Sequence, residues 1–122
     1  MVPGEEIAAF IRSSFRSVWS LELLLLLKRE PERSWSRADL VAQLRASDLV
    51  VDQGVDVLHA AGLVLTDASG AVCYRPLSDD LAAMVEQAEA LYARSPNAVR
   101  RVITAPATRG LAAFADAFRL RR

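Results

Sequence analysis

The stretch from Ser34 to Val64, SWSRADLVAQLRASDLVVDQGVDVLHAAGLV, leaves little freedom in its local structure. Ser36 is placed to cap a helix, and Asp39 three residues on answers it as a short capping box. Trp35 and Leu40 then occupy the two positions of a hydrophobic staple. Leu40, Val41 and Leu44 face inward at helical spacing. Ser47 caps a second helix whose inner stripe is Val51, Val55, Leu58 and Ala61. Gly62 supplies the left-handed residue that stops it, and a strand begins at Leu63. The order is helix, short turn, helix, strand.

The flanking segments extend this pattern. Glu5–Phe15 places Ile7, Phe10, Ile11 and Phe15 on one face of an amphipathic helix with acidic residues in its first turn. Ser13, Ser14 and Ser17 allow a break, with Ser17 as the cap of a helix over Val18–Arg29. That helix carries Val18, Trp19, Leu21 and the run Leu23–Leu27, so it is expected to be the most enclosed element, and Pro31 ends it. After Gly62, Leu63–Thr66 and Ala71–Arg75 read as a hairpin around Asp67-Ala68-Ser69-Gly70. Ser78, Asp79 and Asp80 open a helix to Arg94 with Leu81, Met84, Val85, Ala88, Leu91 and Tyr92 as its stripe. Ser95-Pro96 starts a short helix over Asn97–Ile103, and a last one is expected over Thr108–Leu120 with Leu111, Phe114, Ala115 and Phe118. The expected fold class is mainly α with one short β-hairpin. A single domain is expected over 1–122, with an N-terminal helix at 1–16, a core at 17–76 and C-terminal helices at 77–122.

Fifteen basic and fifteen acidic residues cancel, so no overall field draws the chain to nucleic acid. The balance hides a gradient. From Ser47 to Asp80 six Asp face Arg75 alone, a net of −5, and from Ser95 to Arg122 six Arg face Asp116, a net of +5. A lone Cys73 excludes an internal disulfide. The longest apolar run, Leu23–Leu27, is far short of the ~20 residues a membrane span requires. No basic-then-apolar leader opens the sequence, so a cytoplasmic location is expected.

Catalysis would need a cluster of reactive side chains that the sequence does not supply. His59 is the one histidine, and with Cys73 it makes no zinc-ligand spacing. There is no phosphate-binding glycine loop, dinucleotide fingerprint or nucleophile elbow. His59 reads as a partly exposed helix residue, Cys73 as a small packed one, Trp35 and Tyr74 as packing, and Glu86 and Glu89 as solubility. An enzyme is not expected, and no cofactor or metal is.

With these elements laid out, the chain resembles the winged helix-turn-helix regulators, most nearly the MarR-type and arsenic-repressor-type groups. The residues that carry this are Leu21–Leu27, Ser36-Arg37-Ala38-Asp39-Leu40, and Val51-x-x-x-Val55-x-x-Leu58-x-x-Ala61-Gly62-Leu63-Val64. The resemblance spans Val18–Arg75 and implies a winged helix-turn-helix with added N- and C-terminal helices. It also implies a dimeric, DNA-binding transcriptional regulator, with Glu5–Phe15, Ser78–Arg94 and Thr108–Leu120 suited to pairing two subunits.

The residues available for contact give a second reading. With the inner stripe buried, the second motif helix turns Asp48, Leu49, Val50, Asp52, Gln53 and Asp56 outward. Asp48, Asp52 and Asp56 form one acidic stripe with no Arg beside it on the helix. It would approach a duplex that carries one negative charge per about 1.7 Å of axis. The hairpin tip has no basic residue, and Arg75 lies at its far end. Phosphate contacts would fall to Arg33, Ser36, Arg37 and Arg45, with Ser47 and Gln53 toward the groove and the C-terminal arginines beyond. The same surface suits an interaction module that binds a basic protein partner and reads no DNA. A third use of the stripe is neutralisation by the +5 segment of its own or a partner subunit.

Overall fold

The computed structural model describes residues 3–104. Among them are six helices: α1 (Pro3–Ser14), α2 (Val18–Arg29), α3 (Arg37–Leu44), α4 (Asp48–Ala60), α5 (Asp79–Arg94) and α6 (Pro96–Thr104). One antiparallel hairpin joins β1 (Val64–Thr66) to β2 (Val72–Tyr74), with Leu65 opposite Cys73. The fold is mainly helical with a small two-stranded sheet. The helix expected over Thr108–Leu120 lies outside the described residues. No described helix is long and apolar enough to cross a membrane.

Four of the six described helices, α2 to α5, begin where a side chain takes an orphan backbone N–H. Ser17 and Ser20 cap α2 reciprocally: Ser20 N–H donates to Ser17 Oγ at 3.2 Å and Ser17 N–H to Ser20 Oγ at 3.4 Å. Ser36, Ser47 and Ser78 each accept from the third residue on. The capping box expected at Ser36 is only half formed. Asp39 N–H donates to Ser36 Oγ, but the Asp39 carboxylate turns to Arg33 at 3.6 Å.

The core gathers around α2, where Leu21, Leu23, Leu24, Leu26 and Leu27 are buried. The enclosure expected of α2 fails at one place, since Trp19 keeps 47% of its surface exposed. Its main partner is α4, which brings Val51, Gly54, Val55 and Leu58 against it. Val41, Leu44 and Ala61 reach the core only in part. Gly62 lies at φ +80°, the left-handed stop that the sequence requires after α4. Trp35, before α3, pairs with Val72 as a single antiparallel bridge: Trp35 N–H donates to Val72 O at 2.8 Å and Val72 N–H returns to Trp35 O at 2.9 Å. This extension of the hairpin leaves no mark in the sequence pattern.

On the other side, α1, α5 and α6 pack on one another. Ile7, Phe10, Ile11 and Phe15 of the first segment are buried, with the Phe10 and Phe15 rings edge to face at 6.0 Å. The apolar face of α1 expected to pair subunits is therefore taken up within the chain. On α5, Val85 and Ala88 are buried, whereas Leu81, Met84, Leu91 and Tyr92 stay half-buried. Polar contacts clamp α5 to α2. Lys28 Nζ lies 2.8 Å from Glu89 and 3.1 Å from Glu86, so these glutamates hold a cation and do more than confer solubility. Tyr92 donates its hydroxyl to Glu22 at 2.5 Å.

These contacts set the alkaline limit of the fold. The hydrogen bond from Glu89, helped by Glu86, holds the Lys28 ammonium above its usual 10.5 despite partial desolvation. Burial, with Glu22 beside it, raises the Tyr92 phenol above 10.0, and burial raises Tyr74 as well. Each group binds its proton more tightly in the folded chain. Its contribution is complete below the unfolded value and lost as pH rises through the folded one. Thermal melts should thus be flat from neutrality to about pH 10 and fall beyond it. The Tyr92→Phe chain should fall less steeply. Equal slopes for the two chains would disprove the assignment of Tyr92.

Candidate macromolecular interface

The surface singled out by the sequence consists of α3, its turn, α4 and the hairpin. The turn between the helices is made by Arg45 in the left-handed region at φ 54°, ψ 42°. It is the one non-glycine with positive φ among the described residues. Such a conformation costs roughly 1–2 kcal/mol for a residue with a Cβ. It lets Ala46 N–H reach back to Val41 O at 3.3 Å and starts α4 one residue after Ser47.

α4 lies as its stripe requires, with Val51 and Val55 inward and Asp48, Leu49, Asp52, Gln53 and Asp56 exposed. Val50 is half-buried, and Leu49 is 64% exposed, the barest apolar side chain on this helix. The three aspartates do not form one uniform stripe, however. Arg37, from the first turn of α3, places Nη1 2.6 Å from Asp52 Oδ1 and donates Nε–H to Gly70 O at 2.8 Å. The expectation of an acidic row with no arginine at hand is corrected here, since the cation arrives from a different helix. One guanidinium joins α3, α4 and the hairpin turn. Asp48 and Asp56 have no ion pair among the described residues.

The remaining candidate cations divide into two groups. Arg33 is engaged: its guanidinium sits 3.5 Å from the centre of the Trp35 ring and lies 3.6 Å from both Glu30 and Asp39. Arg45 and Arg75 are exposed and have no ion pair among the described residues. Ser36 and Ser47 spend their hydroxyl oxygens on the helix caps. The hairpin tip is organised by its acid. Asp67 accepts from the Ser69 hydroxyl at 2.7 Å and from the N–H groups of Ser69 and Ala71 at 2.9 and 3.0 Å. These bonds, the hydroxyl's first, lower its pKa below the usual carboxylate value. His59 is exposed and Cys73 half-buried, as the sequence suggested.

The sequence reading missed a groove beside α4. Arg16, Trp19, Val50, Gln53, Asp56 and Val57 border an open space of about 580 Å³ between the start of α2 and the outer flank of α4. The only sequence signal is the mismatch of Trp19 and Val50, two apolar residues that lie off the inner stripes of their helices. Among the described residues no group of three or more His, Cys, Asp or Glu side chains is arranged to hold a metal ion. No protein-family model, curated protein or solved structure matches the chain.

Proposed function

We propose that this chain is a winged helix-turn-helix regulator of transcription. In this reading α3 and α4 form the helix-turn-helix, the β1–β2 hairpin forms the wing, and α4 enters the duplex groove. The observation that carries the reading is the pose of α4. It is capped by Ser47, seated on α2 by Val51, Gly54 and Val55, and presents Leu49, Asp52 and Gln53 to solvent beside the hairpin. Arg45 and Arg75 are the cations at hand for phosphates. A homodimer formed through the terminal helices belongs to the proposal, with the half-buried Leu81, Met84 and Leu91 of α5 available to it.

The acidic character of α4 favours a second reading. Asp48, Asp52 and Asp56, with Leu49 exposed among them, suit a winged-helix module that binds a basic protein surface. Arg37, the cation nearest the reading face, is held by Asp52 and Gly70 O.

Anisotropy titration of a random duplex at low salt separates the two. A regulator that contacts DNA binds measurably, with affinity falling steeply as salt rises. In that case Asp52→Ala frees Arg37, and one further phosphate contact steepens the slope of log K against log salt by about 0.9. Binding no greater than background for both chains would refute the DNA reading and leave the protein-contact module. For that module, Asp52→Ala should weaken partner capture.

A further inference from the structure

We propose that Arg37 is a latch on the tip of the hairpin and that Asp52 keeps it closed, so that drawing Asp52 away on α4 opens the bond at Gly70. The hairpin is fastened at its base and at its tip by different means. At the base, Trp35 and Val72 exchange two backbone hydrogen bonds. The tip, residues 67–71, closes on itself. Asp67 takes the Ser69 hydroxyl and the N–H groups of Ser69 and Ala71, while Gly70 N–H donates to Asp67 O and Asp67 N–H to Ala71 O. Asp67, Ala68 and Ser69 are exposed, and a Cβ at residue 70 would meet no heavy atom within 4 Å. Among the described residues, the bond from Arg37 Nε–H to Gly70 O at 2.8 Å is the one hydrogen bond from the tip to the helices.

That bond depends on how the guanidinium is held. Nε and Nη1 belong to one rigid plane, so the partner of Nη1 fixes the direction in which Nε–H points. The partner is Asp52 Oδ1 at 2.6 Å. Without it the Arg37 side chain regains its rotamers, and a single carbonyl at a part-exposed site holds it only part of the time. The Asp52 side chain is 54% exposed, so a ligand from solution can engage it. Occupancy on the outer face of α4 is thereby felt at the hairpin, through one side chain with two arrangements. This deepens the proposed function, on which it rests only in taking that face of α4 as the contact surface.

NMR of the free full-length chain tests the latch, and with no DNA present the result stands apart from the duplex titration. In Asp52→Asn, exchange of the Arg37 Nε–H with water should quicken about two- to fivefold, the range that loss of a part-exposed ion pair allows. The amide order parameters of Ser69, Gly70 and Ala71 should fall with it, while the Val72 N–H, bonded to Trp35 O, stays as in the wild type and controls for the fold. Arg37→Lys keeps the charge beside Asp52 but lacks the fork, so its tip should loosen as well. Wild-type exchange and order in Asp52→Asn would overturn the proposal. A tip as ordered in Arg37→Lys as in the wild type would overturn it too, since charge alone would then fasten the hairpin.

Discussion

Trp35→Ala is expected to lower the unfolding free energy by about 3–5 kcal/mol, the largest effect of any single truncation in the hairpin half of the molecule. The side chain is 1% exposed and, with Phe15, is among the largest fully enclosed groups. Its backbone holds Val72 by two hydrogen bonds, and Arg33 roofs its ring at 3.5 Å. Removing the indole would empty the space beneath Arg33 and loosen the bridge that joins the hairpin to the start of α3. Trp35→Phe should lose less. It keeps an aromatic ring under the guanidinium and deletes an indole N–H that has no hydrogen-bond partner among the described residues. A buried donor left unpaired costs about 1–3 kcal/mol, so its removal offsets part of the lost volume. Urea unfolding of the three chains checks the order, and a Phe variant as unstable as the Ala variant would contradict it.

Gly54→Leu is the second large effect. A Cβ at residue 54 would stand 3.1 Å from the Leu23 Cδ2 methyl and 4.0 Å from the Ser20 backbone, where α2 and α4 cross. The first carbon can be admitted by a small movement of the Leu23 side chain. Gly54→Ala gains roughly 1 kcal/mol of helix propensity against that crowding and should end near neutral. Three further carbons add to the crowding at Leu23, and overpacking of this kind costs about 1–3 kcal/mol. Because α4 carries the proposed contact surface, the Leu variant should also lose whatever binding the wild type shows, while the Ala variant keeps it. Equal unfolding midpoints for Leu and Ala would show that the crossing is looser than the geometry requires.

What could be read from the sequence was whatever a few neighbouring residues decide. The serine caps at Ser17, Ser36, Ser47 and Ser78, the left-handed Gly62, the inner stripe of α4 and the leucines of α2 are local signals, and each appears in the fold. What could not be read depends on partners brought together by folding. Arg37 meets Asp52 and Gly70 across separations of 15 and 33 residues, so its role in joining three elements was invisible from either end. Lys28, Glu86 and Glu89 look like ordinary surface charges until α5 is laid on α2. The bare indole of Trp19 leaves no local mark, because an apolar residue beside a leucine run has the same spacing whether it is buried or exposed. Of the candidate site, the outward residues of α4 were legible from the period alone. The groove beside them was not, because it belongs to the spacing of two helices.

The corner before Ser47 has a consequence of its own. The backbone there has the shape that glycine or asparagine occupies at least cost, yet the chain keeps an arginine at the position. Form and charge are in tension: a residue that relaxes the bend gives up a cation at the mouth of α4, and one that keeps the cation leaves the bend strained.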